Sequence, residues 1–328
     1  MSLSFKRAAG AITIAVLAAT ASIGWAADAV KVYPNKPVRL IGPFTPGAGT
    51  DTTARLIAKH LSEQWKEQVI VDNRTGAAGA IGVDLTAKAQ PDGYTICLIS
   101  ASMHVNSATN PNLPYDLTKD LQGISQATSL FYVLYINASV PVKNVQELVA
   151  YARSNPGKLN YSSSGTGGLQ HLAGELFDYM AKTRMTHVPF KGTAAGVVAN
   201  LSGEVQVGFG TLFGVRPHMQ TGKLRGLGIT ASKRSPSVDL PTVAESGVPG
   251  YNVDQMYGII GSAKIPKPLV NKINAGIVTA LKDPEVVKKL IADGSTPVGS
   301  TPEEYTATIR AEVDKWRKLA KAAGLKLH

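Results

Sequence analysis

Short apolar runs, glycine-rich turns and stretches of helical spacing alternate along this chain. Val38-Arg39-Leu40-Ile41 is an apolar run that stops at Gly42-Pro43. A loop follows from Phe44 to Asp51, and then Ala54, Leu56, Ile57 and Leu61 recur at helical spacing as far as Trp65. Gln68 to Asp72 is the next strand, Asn73 to Gly79 a turn, Ile81 to Ala89 a helix, and Tyr94 to Ile99 a third strand. A second set begins at Phe131 to Ile136, continues through a helix at Val145–Arg153, and reaches Leu159-Asn160-Tyr161. The small-residue stretch Ser162 to Gly168 leads into a long helix from Gln170 to Lys182. His187 to Phe190, Val205 to Phe209, Leu224 to Thr230 and Met256 to Ser262 are the remaining strands, and the tail is mostly helical. Strands alternating with helices predict an α/β protein whose sheets are mostly parallel and flanked by helices. Two such sets with a C-terminal return predict two lobes joined by more than one strand, near Gln126–Phe131 and Val248–Asp254. No internal repeat or low-complexity segment interrupts them.

The first residues have a different pattern. Lys6 and Arg7 precede an uncharged stretch with an apolar run from Ala11 to Ala21, and Gly24-Trp25-Ala26 supplies small residues before Ala27-Asp28. That order is the pattern of a secretory signal. A membrane span needs about 20 strongly apolar residues, and this run is shorter, rich in Ala and Gly, and broken by Thr. Residues 1–26 are therefore expected to be a cleaved signal peptide, and the mature protein to be soluble and periplasmic.

Composition narrows the class. With the leader gone, about 300 of the 328 residues remain, enough for two lobes of ordinary size. Cys97 is the single cysteine and lies inside the strand Tyr94–Ile99. An intramolecular disulfide is thereby excluded, and the residue reads as packing. The formal charge is +11, about +9 without Lys6 and Arg7. Because the Lys and Arg are scattered, with no basic run and no interleaved aromatics, nucleic acid is not expected as a partner. A field that draws in small anions and a simply solvated surface fit this charge equally well.

Candidate chemistry lies in loops rather than in reactive side chains. In Gly47-Ala48-Gly49-Thr50-Asp51 the glycines allow close backbone approach, and Thr50 or Asp51 can cap the helix that follows. No lysine follows Gly49 and Thr52 stands where a dinucleotide fingerprint needs glycine, so the loop is no cofactor motif. An anion cradle and an ordinary tight turn both remain open for it. Ser162 to Gly168, Lys191 to Ala195 and Ser100 to Ser102 are loops of the same kind. Loops at the carboxyl ends of strands are where open α/β sheets bind ligands, while plain helix capping explains the same residues. No Gly-x-Ser-x-Gly elbow occurs, the six histidines lack zinc-ligand spacing, and the carboxylates form no compelling acid/base pair. His171 near its helix start reads first as a structural histidine. A binding protein without catalytic residues, metal or cofactor is expected.

Ordered along the chain, Tyr33 to Leu40 with Pro43 to Asp51, Asn73-Arg74, Ala89 to Thr95, Leu113 to Asp116, Asn155 to Tyr161, His171 to Glu175, His187 to Gly192, Lys233 to Pro236, Pro241 to Tyr251 and Thr301 to Glu304 form one pattern. It resembles the solute receptors of tripartite tricarboxylate transporters, the Bordetella-uptake (Bug) family, over essentially the whole mature chain. The resemblance implies a monomeric Venus-flytrap receptor, of the type 2-like periplasmic binding protein class. Its lobes would be residues 27–127 plus 250–328 and residues 128–249. Such a receptor closes on a small organic carboxylate and hands it to a membrane permease. The ligand is expected on loop amides, hydroxyls and waters. By position, the candidates are Phe44, Gly47, Gly49, Thr50 and Asp51, then Ser100, Ser102, Ser164, Gly165, Gly168, Thr193 and Thr211, with Tyr257 as a cover.

Three positions depart from the family pattern. Ala48 stands for a third glycine, Thr75 for a proline, and Gly210-Thr211 for the frequent Asp-Asn. Loss of a carboxylate at Gly210 disfavours recognition of an amino group and is expected to leave room for a bulkier ligand, pointing to a plain or aromatic carboxylate. A carboxylate sensor for a signalling partner is an alternative reading. A secreted enzyme on the same scaffold is another, which the missing nucleophile–base pair argues against.

Overall fold

The computed structural model describes residues 31–44, 46, 49–190, 192–292 and 294–322. The expected signal peptide and the candidate Gly47 lie outside these residues. Ten strands and ten α-helices follow in chain order among them. The first half comprises β1 (Val38–Gly42), α1 (Gly49–Trp65), β2 (Val69–Asn73), α2 (Ala80–Ala87), β3 (Thr95–Ser100), α3 (Ala101–Thr109) and β4 (Leu121–Asn137). Then come α4 (Val145–Ser154), β5 (Asn160–Ser163), α5 (Leu169–Ala181), β6 (Thr186–Pro189), α6 (Thr193–Ser202), β7 (Val207–Thr211), α7 (Leu212–Gln220) and β8 (Leu224–Ile229). The chain closes with β9 (Asp254–Ser262), α8 (Lys267–Lys282), α9 (Pro284–Ala292), β10 (Thr296–Pro297) and α10 (Pro302–Ala322).

The strands follow the order β2-β1-β3-β9-β4-β7-β5-β6, with β8 and β10 also paired to β4. β1 runs parallel to β2 and β3, and β5 parallel to β6 and β7. Parallel strands need crossover connections, and the helices α1, α2, α5 and α6 between these strands supply them. The inner strands β4 and β9 run antiparallel to their neighbours. β4 is 17 residues long, and it is shared. Leu121 to Phe131 pair with β9, whereas Tyr132 to Asn137 pair with β7 and β8. The architecture is a two-lobed α/β fold with one strand common to both lobes.

A joining strand is expected only from about Gln126, yet β4 starts at Leu121, in a stretch whose sequence does not read as one. It carries Gly123, Ser125, Gln126, Thr128 and Ser129 in place of branched apolar residues. The reason lies in α10, which packs directly on it. A Cβ on Gly123 would come within 2.7 Å of the Thr306 backbone nitrogen, and one on Gly258 of β9 within 2.1 Å of the Tyr305 ring. Small residues on the two inner strands thus make the space in which Tyr305 is completely buried. α7 is a second element the apolar spacing did not mark. Only Leu212 and Val215 of it are buried, too few for a helical period to show. Cys97 is fully buried, and burial pushes its thiol up to about 12, in keeping with packing rather than reactivity.

Thr230, at the end of β8 and fully buried, fastens the two passages of chain between the lobes. Its hydroxyl accepts from Tyr132 N at 2.9 Å and donates to Val253 O at 2.7 Å. Its own backbone completes the link, with Thr230 N donating to Tyr132 O and Val253 N donating to Thr230 O. Valine has the same shape without the hydroxyl. Thr230→Val therefore removes a partner from each buried backbone group and is expected to destabilise the protein by about 1–3 kcal/mol. Chemical denaturation of the two proteins measures this, and an unchanged midpoint would show that the staple contributes nothing.

Candidate functional site

A cavity of about 390 Å³ is walled by residues from both halves of the chain. Pro43, Phe44, Thr75, Gly76 and Gly79 come from the loops after β1 and β2, and Ser102, Met103 and Asn106 from α3. The opposite wall is the run Ser164 to Gly168 between β5 and α5. None of these described lining residues is charged. Two helices start at the wall, α3 behind its cap Ser100 and α5 behind its cap Gly168. The first turn of a helix carries unpaired amides and partial positive charge, so both walls favour an anion without an ionised side chain. Larger surface hollows of about 480 Å³ beside Tyr115 and about 710 Å³ between Phe213 and Ile291 contain none of the candidate residues.

Of the candidates, the cavity brings together Phe44, Ser102, Ser164, Gly165 and Gly168. Thr50 and Asp51 stand in the first turn of α1, buried, and do not line it; Gly49 opens the same helix. The Asp51 carboxylate is engaged by its neighbours, accepting from Arg55 Nε at 2.9 Å and from Asn73 Nδ2 at 2.9 Å. Asn73 Nδ2 also reaches Phe44 O at 3.1 Å, so this network seats the loop that carries Phe44. Ser100 caps α3 and pairs in register with Tyr257 of β9. Thr211 caps α7, its Oγ1 accepting from Gly214 N at 3.4 Å. Thr193 opens α6 and donates to Gln170 Oε1 at 3.4 Å.

Gln170 was not singled out by residue type, yet it holds the far wall. Buried at the start of α5, it accepts from Ser164 N at 2.9 Å and donates to Phe209 O at 2.5 Å. Loop, strand β7 and α6 thus meet on one side chain. The expectation for Gly210 is corrected. A Cβ there would meet Val215 at 2.7 Å and Tyr135 at 3.0 Å, so the missing carboxylate leaves packed side chains and opens no room in the cavity.

Behind the same wall two imidazoles stack, His171 on His187, with centroids 3.9 Å apart. His171 Nδ1 accepts from Gly167 N at 3.2 Å, and His187 Nε2 lies 2.6 Å from Ser163 Oγ. Ser163 Oγ in turn accepts from Gly165 N at 3.1 Å. Tyr161 stacks on His187 and donates to Glu175 Oε1 at 2.7 Å. Burial lowers His171 from 6.5 to about 4, and burial plus the neighbouring His171 lowers His187 to about 4. Both rings are neutral at pH 7, so the 3.6 Å approach of His171 Nε2 to Glu175 is no ion pair there. The spacing of the histidines along the chain gave no sign of this pair, because β6 brings His187 beside α5 only in the folded sheet. Among the described residues no cluster of ligands could hold a metal ion, and no helix is long and apolar enough to cross a membrane.

Residues 53–325 match the model of the tripartite tricarboxylate transporter family receptor, TctC. The chain belongs to this receptor family. BugT of Bordetella pertussis is 33% identical to the receptor over 96% of this chain and 97% of its own. The solved structure of Rpa4515 from R. palustris with adipate is 34% identical, with a TM-score of 0.76 over 89% of this chain and 98% of its own. MatC from Rhodopseudomonas palustris with bound malate is 29% identical, with a TM-score of 0.73 over 88% and 99%.

The histidine pair gives the receptor a pH response of defined sign. Both folded-state values lie below 6.5, so the unfolded chain takes up protons first as pH falls. The stability contributed is complete above pH 6.5, is lost progressively towards about pH 4, and changes no further below that. Melting temperatures across this window should fall, and the fall should be shallower in a His171→Gln, His187→Gln double variant. Equal slopes in the two proteins would contradict the assignment.

Proposed function

We propose that this chain is a periplasmic solute-binding receptor that captures a small organic carboxylate between its lobes and delivers it to the permease of a tripartite transporter. The observation that carries the reading is the make-up of the cavity. Its described wall is uncharged, rich in glycine and hydroxyls, and bordered by the starts of α3 and α5. Such a wall binds an anion through oriented amides and hydroxyls, and the adipate and malate of the R. palustris relatives support a carboxylate as that anion.

In this reading the leader ends at Ala26 and is removed on export, and the mature receptor is a monomer. The lobes are residues 27–127 plus 250–328 and residues 128–249, and they hinge on the passages that Thr230 fastens. Phe44, Ser102, Ser164, Gly165 and Gly168 touch the ligand. Gly47, Gly49, Thr50 and Asp51 shape the first loop, while Ser100, Thr193, Thr211 and Tyr257 frame the site. In this reading the receptor turns nothing over and needs no cofactor: Ser163 Oγ meets His187 Nε2 at 2.6 Å, but Ser163 is buried and does not line the cavity. Its net charge, +11 for the whole chain and about +9 without Lys6 and Arg7, acts at long range on the encounter with an anion, not as a clamp.

Titration of the mature protein with adipate, malate and an aromatic carboxylate tests this. A true ligand at about 100 times its dissociation constant stabilises the fold by about 2.7 kcal/mol and shows as a raised melting temperature. Small-angle scattering should show the protein more compact with that ligand than without it, because a ligand touching both lobes favours the closed state. Absence of stabilisation by any carboxylate would sink the proposal. Identical scattering with saturating ligand would remove the hinge closure from it.

A further inference from the structure

Asn106 stands in the cavity wall, in the second turn of α3. It is 6% exposed, and its side-chain Nδ2 has no hydrogen-bond partner. The other buried amides near the site are fully used. Asn200 accepts from Ser162 Oγ at 2.6 Å and Tyr135 OH at 2.9 Å while donating to Val205 O and Val207 O. Gln170 joins Ser164 to Phe209. A buried donor without an acceptor destabilises a fold, and an asparagine inside a helix adds nothing to helix stability. Neither packing nor helix formation accounts for this residue.

Its position does. Asn106 follows Ser102 by one helical turn, so the two share a face of α3, and both line the cavity with Met103 beside them. The amide torsion of an asparagine is broad, so its donor can swing to an acceptor in the cavity without movement of the helix. The Ser164 to Gly168 loop and the start of α5 lie on the other wall. Resting on the reading of this cavity as a carboxylate site, we propose that Asn106 is its specificity-determining residue. Its amide donates to a second acceptor oxygen at the end of the ligand remote from the α5 carboxylate. The receptor therefore selects carboxylates with an oxygen at both ends over simple aliphatic ones, which would leave the amide unpaired while filling the same apolar space beside Phe44 and Met103.

The test compares adipate with hexanoate, ligands of equal chain length that differ in the second carboxylate, by calorimetric titration of the mature full chain. Wild type should prefer adipate. Asn106→Leu should weaken adipate binding about ten- to hundredfold and collapse the adipate-to-hexanoate ratio towards one. Its melting temperature without ligand should stay level or rise, since an unpaired buried donor has gone. Asn106→Ala, smaller than the native residue, should show the same loss of selectivity if the leucine does not fit. A variant that keeps the wild-type ratio overturns the proposal, as does a wild type that binds both acids equally. A wild type that binds neither, nor malate, overturns the carboxylate reading itself and this inference with it.

Discussion

Everything about the site rests on β4 belonging to both lobes. A strand hydrogen-bonded to β9 along its first half and to β7 and β8 along its second cannot shift in register without moving every side chain to the opposite face. It therefore sets where one lobe lies against the other. Thr230 ties this passage to the returning one through Tyr132 and Val253. The two segments are thereby hydrogen-bonded to one residue between them.

The walls themselves are held from behind. On one side the Arg55–Asp51–Asn73 network reaches Phe44 O. On the other, Gln170 and the stacked His171 and His187 hold Ser163 to Gly167 through their backbone amides and hydroxyls. The charged and aromatic groups supply rigidity one layer out, and the surface presented to a ligand is left neutral. The histidines serve this arrangement only while neutral, and burial keeps them so.

Close approach of backbone explains much of the composition. Gly123 and Gly258 admit Tyr305, and Gly174 of α5 lies against the Tyr161 ring, where a Cβ would come within 2.3 Å. These glycines exchange local strand or helix stability for contact between layers. Gly165 and Gly167 in the cavity wall have a different role: nothing lies within 4 Å of where a Cβ would stand on either. Their backbone turns left-handed towards open space, with φ of 134° and 78°.

The sequence by itself determined the α/β class, the positions of the outer strands and their helices, and the glycine- and hydroxyl-rich loops from which Phe44, Ser102, Ser164, Gly165 and Gly168 come. Apolar periodicity and turn chemistry are local, and these features depend on little else. It placed a joining strand near Gln126–Phe131 but could not reveal the start of β4 from Leu121 to Ser125, whose small residues look unlike a strand until α10 is laid across them. Nor could it separate candidates that line the cavity from Thr193 and Asp51, which brace its walls from behind, and Thr211, which caps α7. Gln170, Asn106 and the pairing of His171 with His187 were decided by tertiary structure alone. Each depends on which partner, or which missing partner, the folded sheet brings within hydrogen-bonding or stacking distance, and that distance is unrelated to separation along the chain.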